Sequence, residues 1–180
     1  RDVSTWKNDK RWSDQFIPEI QRIIGGLLIG EASPEEDRHH NTDLIIMRQG
    51  FFRIACRIRR ASYLAGFGEE FTVRAGRPSG TKTELQKIVE GWGDYFFYGF
   101  EDGRGGLAKW FLGDLQVFRL RYRRALETQS PLGQEHDNYD GSSSFCSFRI
   151  SDFDESFIVG RSSGNATIRA SNDGQDWQLV

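Results

Sequence analysis

The stretch NTDLIIMRQGFFRIACRIRR, residues 41–60, sets an acid at the mouth of an apolar run. A second strand-like run follows, carrying Arg53, Arg57, Arg59 and Arg60. Asp43 offers hard carboxylate oxygens of the kind that hold a divalent cation. The arginines are planar cations matched to phosphate. In a strand the side chains alternate, so Arg53, Ala55, Arg57 and Arg59 share one face. Ile54, Cys56 and Ile58 share the other, apolar face. The basic series continues through Arg74, Arg77 and Lys82 near a strand-to-helix turn, and the combined set suits binding of a phosphate backbone. The plainer alternative is a β-hairpin with one solvated basic face.

Other residues carry weaker chemical signals. Thr81-x-x-Glu84 matches a capping box, which by itself accounts for Glu84. GRPSGTK, residues 76–82, lacks the P-loop spacing, although its backbone N–H groups could meet an anion at a helix start. His39 and His40 are adjacent, so they point apart, and no second His or Cys cluster completes a zinc set. Trp92, Tyr95, Phe96, Phe97, Tyr98 and Phe100 read as core rather than as base-stacking residues. Neither a nucleophile elbow nor a kinase signature is present.

The elements that must position these groups follow from periodicity. Residues 11–31 read as a helix, with Phe16, Ile20, Ile23, Ile24, Leu27 and Leu28 at helical spacing. Ser13 or Asp14 is its candidate cap, and Gly25-Gly26 weakens its end, so that LLIGE turns extended. DLIIM, FRIACRIR and EFTVRAG read as three short strands, the first two forming a hairpin. RASYLAGFGE is a loop between the second and third. A helix follows Thr81 and ends at Gly91 or Gly93. The aromatic segment to Phe100 closes at EDGRGG, and a strand then runs to about Arg119, with a helix after it. FCSFRISDF, ESFIVGR and a terminal hairpin over ATIRASNDGQDWQLV complete the chain after a long loop.

With 180 residues, 37% hydrophobic and 28% charged, this is an ordinary globular composition, long enough for a real core. No apolar run approaches the roughly 18 residues of a membrane span. Cys56 and Cys146 are isolated rather than a disulfide framework, and Cys56 reads as a small core residue. With no secretory signal visible, a reducing, intracellular setting is expected. The net charge of -2 hides an uneven distribution. Glu31 to Asp43 is acidic, Arg48 to Lys82 basic, Arg119 to Arg124 basic and Glu135 to Glu155 acidic. A near-neutral total can conceal a local face that binds polyanions.

The order helix, strand, strand, strand, helix, strand over residues 11 to 120, with Asp43 opening one strand, resembles the restriction-endonuclease-like PD-(D/E)xK nucleases. In that superfamily a helical Glu, a strand-opening Asp and an acid-x-Lys hold a divalent metal beside the scissile phosphate. The resemblance implies Glu19 as the helical acid and Asp43 as the strand-opening metal ligand. Ala55-Cys56-Arg57 then falls on the acid-x-Lys. Two departures follow: Arg57 stands where Lys is usual, and Ala55 where the second acid is expected. Glu70 and Glu84 are the candidates to replace it, with Glu70 named beside Asp43 as a metal ligand. A second strand register is open, in which the hairpin supplies the first two strands and EFTVR the third.

The runs WSDQFIPEI, GEASPEED, NTDLIIM, RIACRIRR and EFTVRAGRPSGTKTELQKIVEGWGDYFFYGF also resemble a family of uncharacterised proteins of tailed phages and prophages. This resemblance covers most of the chain and implies a phage setting in the cytoplasm of a bacterial host.

The expectation is therefore an α/β (α+β) fold. Its helix-strand-strand-strand-helix-strand core has a mixed sheet and occupies residues 1–128. Residues 129–180 form a loop and β-rich C-terminal extension packed on it. The functional expectation is a nucleic-acid-processing protein, a phosphodiester hydrolase using Mg²⁺ or Mn²⁺. The alternatives are a non-catalytic binder of nucleic acid, a nucleotide or a host or phage protein, and a structural assembly protein forming a homo-oligomer.

Overall fold

The computed structural model describes residues 3–24, 28–31, 44–47, 51–77, 79–162 and 167–168. The chain folds as an α+β protein in which two sheets face each other. Helices α1 (Val3–Asp14) and α2 (Ile17–Ile23) lead into strands β1 (Leu28–Glu31), β2 (Leu44–Met47) and β3 (Phe51–Arg59). A short 3₁₀ turn and α3 (Leu64–Phe67) precede β4 (Glu70–Gly76). Then come α4 (Glu84–Val89), β5 (Tyr95–Glu101), β6 (Leu107–Asp114) and α5 (Leu115–Glu127). The chain continues through β7 (Gln134–Asp137), β8 (Ser144–Arg149), β9 (Ile158–Arg161) and β10 (Thr167–Ile168).

The large sheet runs in the order β1-β2-β3-β5-β6-β9-β10, and its β3–β5 pair is parallel while its other described pairs are antiparallel. The mixed sheet expected from sequence is thus present. A second sheet runs β4-β8-β7. Its composition corrects the expected strand order, because the third core strand, EFTVRAG, leaves the large sheet. The cause is visible in its inward side chains. Phe71 places its ring among seven others, those of Phe96, Tyr98, Phe111, Phe118, Phe148, Phe153 and Phe157, at centroid distances of 5.3–6.3 Å. Such a site rewards laying β4 over the aromatic face of the large sheet rather than at its edge.

The two faces of the large sheet carry separate cores. Ile54, Ile58, Phe97, Trp110 and Leu112 meet Phe16, Ile20 and Ile23 of the N-terminal helical region. Ala55, Phe96, Tyr98, Phe100 and Phe111 meet β4, β8 and α5. Gly113 lies under the buried ring of Phe157, where a Cβ would stand 2.8 Å from the ring.

Three local expectations change. The helix read over residues 11–31 is two helices and a strand. Neither Ser13 nor Asp14 caps it; Phe16 occupies the N-cap of α2, and Pro18 sits in that helix's first turn, where no backbone donor is lost. The strand read to Arg119 ends at Asp114, whose side chain accepts from the N–H groups of Gln116 (2.7 Å) and Val117 (3.3 Å) and starts α5. The loop at 60–69 holds two short helical turns. Cys56 and Cys146 form no disulfide and pack in the two separate cores on opposite sides of the large sheet. No described helix is long and apolar enough to cross a membrane.

Candidate functional site

On β3 the alternation holds, with Ala55 and Arg57 turned toward the small sheet. Ala55 is buried beside Phe96 in the aromatic core, in a setting that suits a methyl and not a carboxylate. Arg57 ion-pairs with Glu84 through Nη2 and Oε2, and the same oxygen accepts the backbone N–H of Arg74 at 3.0 Å. Glu84 is 8% exposed. It is free to turn inward because the capping box sits two residues later than the sequence suggested. Thr83 Oγ1 accepts from the Gln86 N–H (3.3 Å), and Gln86 Oε1 accepts from the Thr83 N–H (2.8 Å). Thr81 and Glu84 do not form that box. The Arg57–Glu84 pair is a brace joining β3, β4 and α4.

The other acids lie apart from it. Glu19, on α2, covers the opposite face of the large sheet. Its Oε1 accepts the N–H of Leu107 at 3.4 Å and stands 4.0 Å from Arg22. The large sheet therefore lies between it and the Arg57–Glu84 pair. Glu70 opens β4, four residues from Arg74, roughly 13 Å along the strand. Its Oε1 lies 3.9 Å from Arg149 Nε. Asp43, His39 and His40 lie outside the described residues. Among the described residues no three His, Cys, Asp or Glu groups gather as a metal-holding set.

The basic series is also dispersed. Arg53 and Arg59 sit six residues apart on β3, roughly 20 Å. The backbone N–H of Arg53 donates to Asp94 Oδ2 at 2.6 Å, pinning the start of β3 beside that of β5. Lys82 bridges to Glu90 at 2.7 Å on the surface. Arg77 is exposed, and its carbonyl accepts the Gly80 N–H in the turn that leads to α4. Of the β3 arginines, Arg59 lines a cavity.

That cavity is a cleft of about 530 Å³ lined by residues from strands of both sheets. Tyr98 and Phe100 of β5 form its floor. Arg59, Tyr63 and Phe67 form one wall, and Glu70, Thr72, Ser147, Arg149 and His136 the other. The Arg59 guanidinium lies over the Tyr63 ring, 4.3 Å from its centroid. Tyr63 and Phe67 are exposed aromatics 6.3 Å apart. On the far wall His136 stacks on Phe145 with centroids 5.2 Å apart, and its Nε2 lies 3.1 Å from Ser147 Oγ. Thr72 Oγ1 and the Tyr98 hydroxyl are 3.3 Å apart across the floor. Chemically, this is a space lined by the guanidiniums of Arg59 and Arg149 and the carboxylates of Glu70 and Asp152, together with hydroxyl, imidazole and aromatic groups. It can hold an anion attached to a flat ring.

Sequence reasoning found Arg59 and Glu70 but missed Tyr63, His136, Ser147 and Arg149. The signal for two of these was present: the alternation of SFCSFR puts Phe145, Ser147 and Arg149 on one face. What the sequence does not show is that residues of this face line the same cavity as Arg59.

No protein-family model, curated protein or solved structure matches the chain.

Proposed function

We propose that the protein is a binder of nucleotides, holding a phosphate between Arg59 and Arg149 and the base against the aromatic rim at Tyr63 and Phe67. The observation that carries this reading is the approach of two guanidiniums, from opposite sheets, to one nucleotide-sized cleft. Bidentate donors on both walls suit a phosphate, and exposed aromatic faces suit a base without selecting its sequence. Arg57 and Glu84, the pair nearest the nuclease-like motif, spend their charges on each other, which favours binding over phosphodiester cleavage. The phage-like resemblance gives this binder a setting in a bacterial cytoplasm.

Titration calorimetry with mononucleotides tests it. Micromolar binding is expected, weakening with added salt as a phosphate contact requires. Arg59→Ala with Arg149→Ala should reduce affinity at least tenfold, while Arg77→Ala leaves it unchanged. Binding indifferent to the double substitution refutes the proposal.

A metal-dependent hydrolase is the second reading, favoured by one observation: Glu70 lines the same cleft. It predicts cleavage of DNA or RNA that requires Mg²⁺ or Mn²⁺ and is lost in both Asp43→Ala and Glu70→Gln. Nucleotide binding with no such cleavage rejects it.

A further inference from the structure

A second, smaller cavity of about 200 Å³ adjoins the first. Tyr98 and Phe100 line both, so the two share a wall. Gly68 and Glu69 border the second cavity, Glu70 the first, and the segment Gly68–Glu70 forms a strap between them. The second cavity has its own cations, Lys109 and Arg161, both on the face that carries Phe111. Strand register places them. Arg59, Phe100 and Lys109 are paired across β3, β5 and β6, so the Cα atoms of Arg59 and Lys109 are separated by two strand spacings, about 10 Å. Long basic side chains at that separation can hold two anionic groups of one ligand.

We infer that the two cavities form one bipartite site, and that the second takes a further phosphate of the same ligand, as in a 5′-phosphorylated dinucleotide. This rests on the nucleotide-binding reading of the first cavity. At present Lys109 is ion-paired with Glu69, whose side chain is 74% exposed. A pair so open to water is held weakly and exchanges readily for a stronger anion. A phosphate, with more charge and more acceptor oxygens than a carboxylate, displaces Glu69 from Lys109 and gains Arg161 as well. Glu69 is thus an internal stand-in for the second phosphate, and it disfavours ligands that carry none.

The test compares 5′-phosphorylated deoxydinucleotides of mixed sequence with the matching mononucleotides on the full chain. The dinucleotides should bind at least tenfold tighter. Lys109→Ala with Arg161→Ala should erase that advantage and leave mononucleotide affinity unchanged. Glu69→Gln should tighten dinucleotide binding several-fold and mononucleotide binding not at all. All of these positions are at least partly exposed, and a thermal melt confirms that each variant folds. Equal affinities for the two ligands, or equal losses for both in the double variant, overturn the bipartite site while leaving the nucleotide reading standing. Failure of both ligands to bind overturns both.

Discussion

At the scale of single residues, the Arg57–Glu84 pair is the point at which sequence and structure diverge most usefully. From sequence, Arg57 is a phosphate contact and Glu84 a capping residue or a replacement acid. In the fold they meet because Thr83 takes the cap. Their role makes a stability prediction. Glu84→Ala leaves a partly buried guanidinium uncompensated and should cost about 3 kcal/mol in urea unfolding. Replacing both residues by Met should cost less than the sum of the single changes, because no charge is then stranded. Cys146 gives a pH prediction. Burial first, and then the charge of Glu135, push its thiol up to about 11. Between its ordinary value near 9 and 11 the unfolded chain loses this proton while the folded chain keeps it. Stability therefore falls as pH rises through that window, and Cys146→Ala should flatten the fall measured by urea midpoints. The raised value also predicts slow alkylation of Cys146 at pH 8, when little thiolate exists.

At the scale of elements, periodicity located most strands and helices, because alternation and helical spacing are local properties. β2, β3, β4 and α4 all lie where the sequence put them, within a few residues, whereas the aromatic segment at Tyr95–Glu101, read only as core, is a strand of its own. The misses are also local in origin. Pro18 and the cap at Asp114 divide runs that read as continuous. Partnership was not legible. Nothing in EFTVRAG says that it will pair with SFCSFR, seventy residues later, rather than with RIACRIR. Gly113 shows how tightly the resulting elements meet. Alanine there would press on a fully buried ring, and about 1–3 kcal/mol of destabilisation is expected, readable as a lowered thermal midpoint.

At the scale of the whole molecule, residues beyond 128 are woven into both sheets. β9 extends the large sheet beside β6, and β8 and β7 complete the small one. Phe148, Phe153 and Phe157 supply three of the rings around Phe71. A fragment of residues 1–128 is therefore expected to lack a cooperative unfolding transition, whereas the full chain shows one by near-ultraviolet circular dichroism. The same weaving explains how much of the site could be read in advance. The nuclease-like layout considered one hairpin and its neighbours, while the cleft is closed by a strand that arrives ninety residues after Arg59. Glu70 and Arg59 were found because they flank that hairpin, and Arg149 and His136 were not because only the fold brings them near.

The carboxylate of Glu84 also bears on the edge of the small sheet. β4 is an edge of the small sheet, and an edge strand offers unpaired amides to any other strand that approaches. The Arg74 amide on that edge is occupied by Glu84, a side chain of the same chain. Glu84 thus blocks one of the contacts that an incoming strand would need to add itself to the sheet. The brace within the fold thus also takes up one backbone donor of that edge strand.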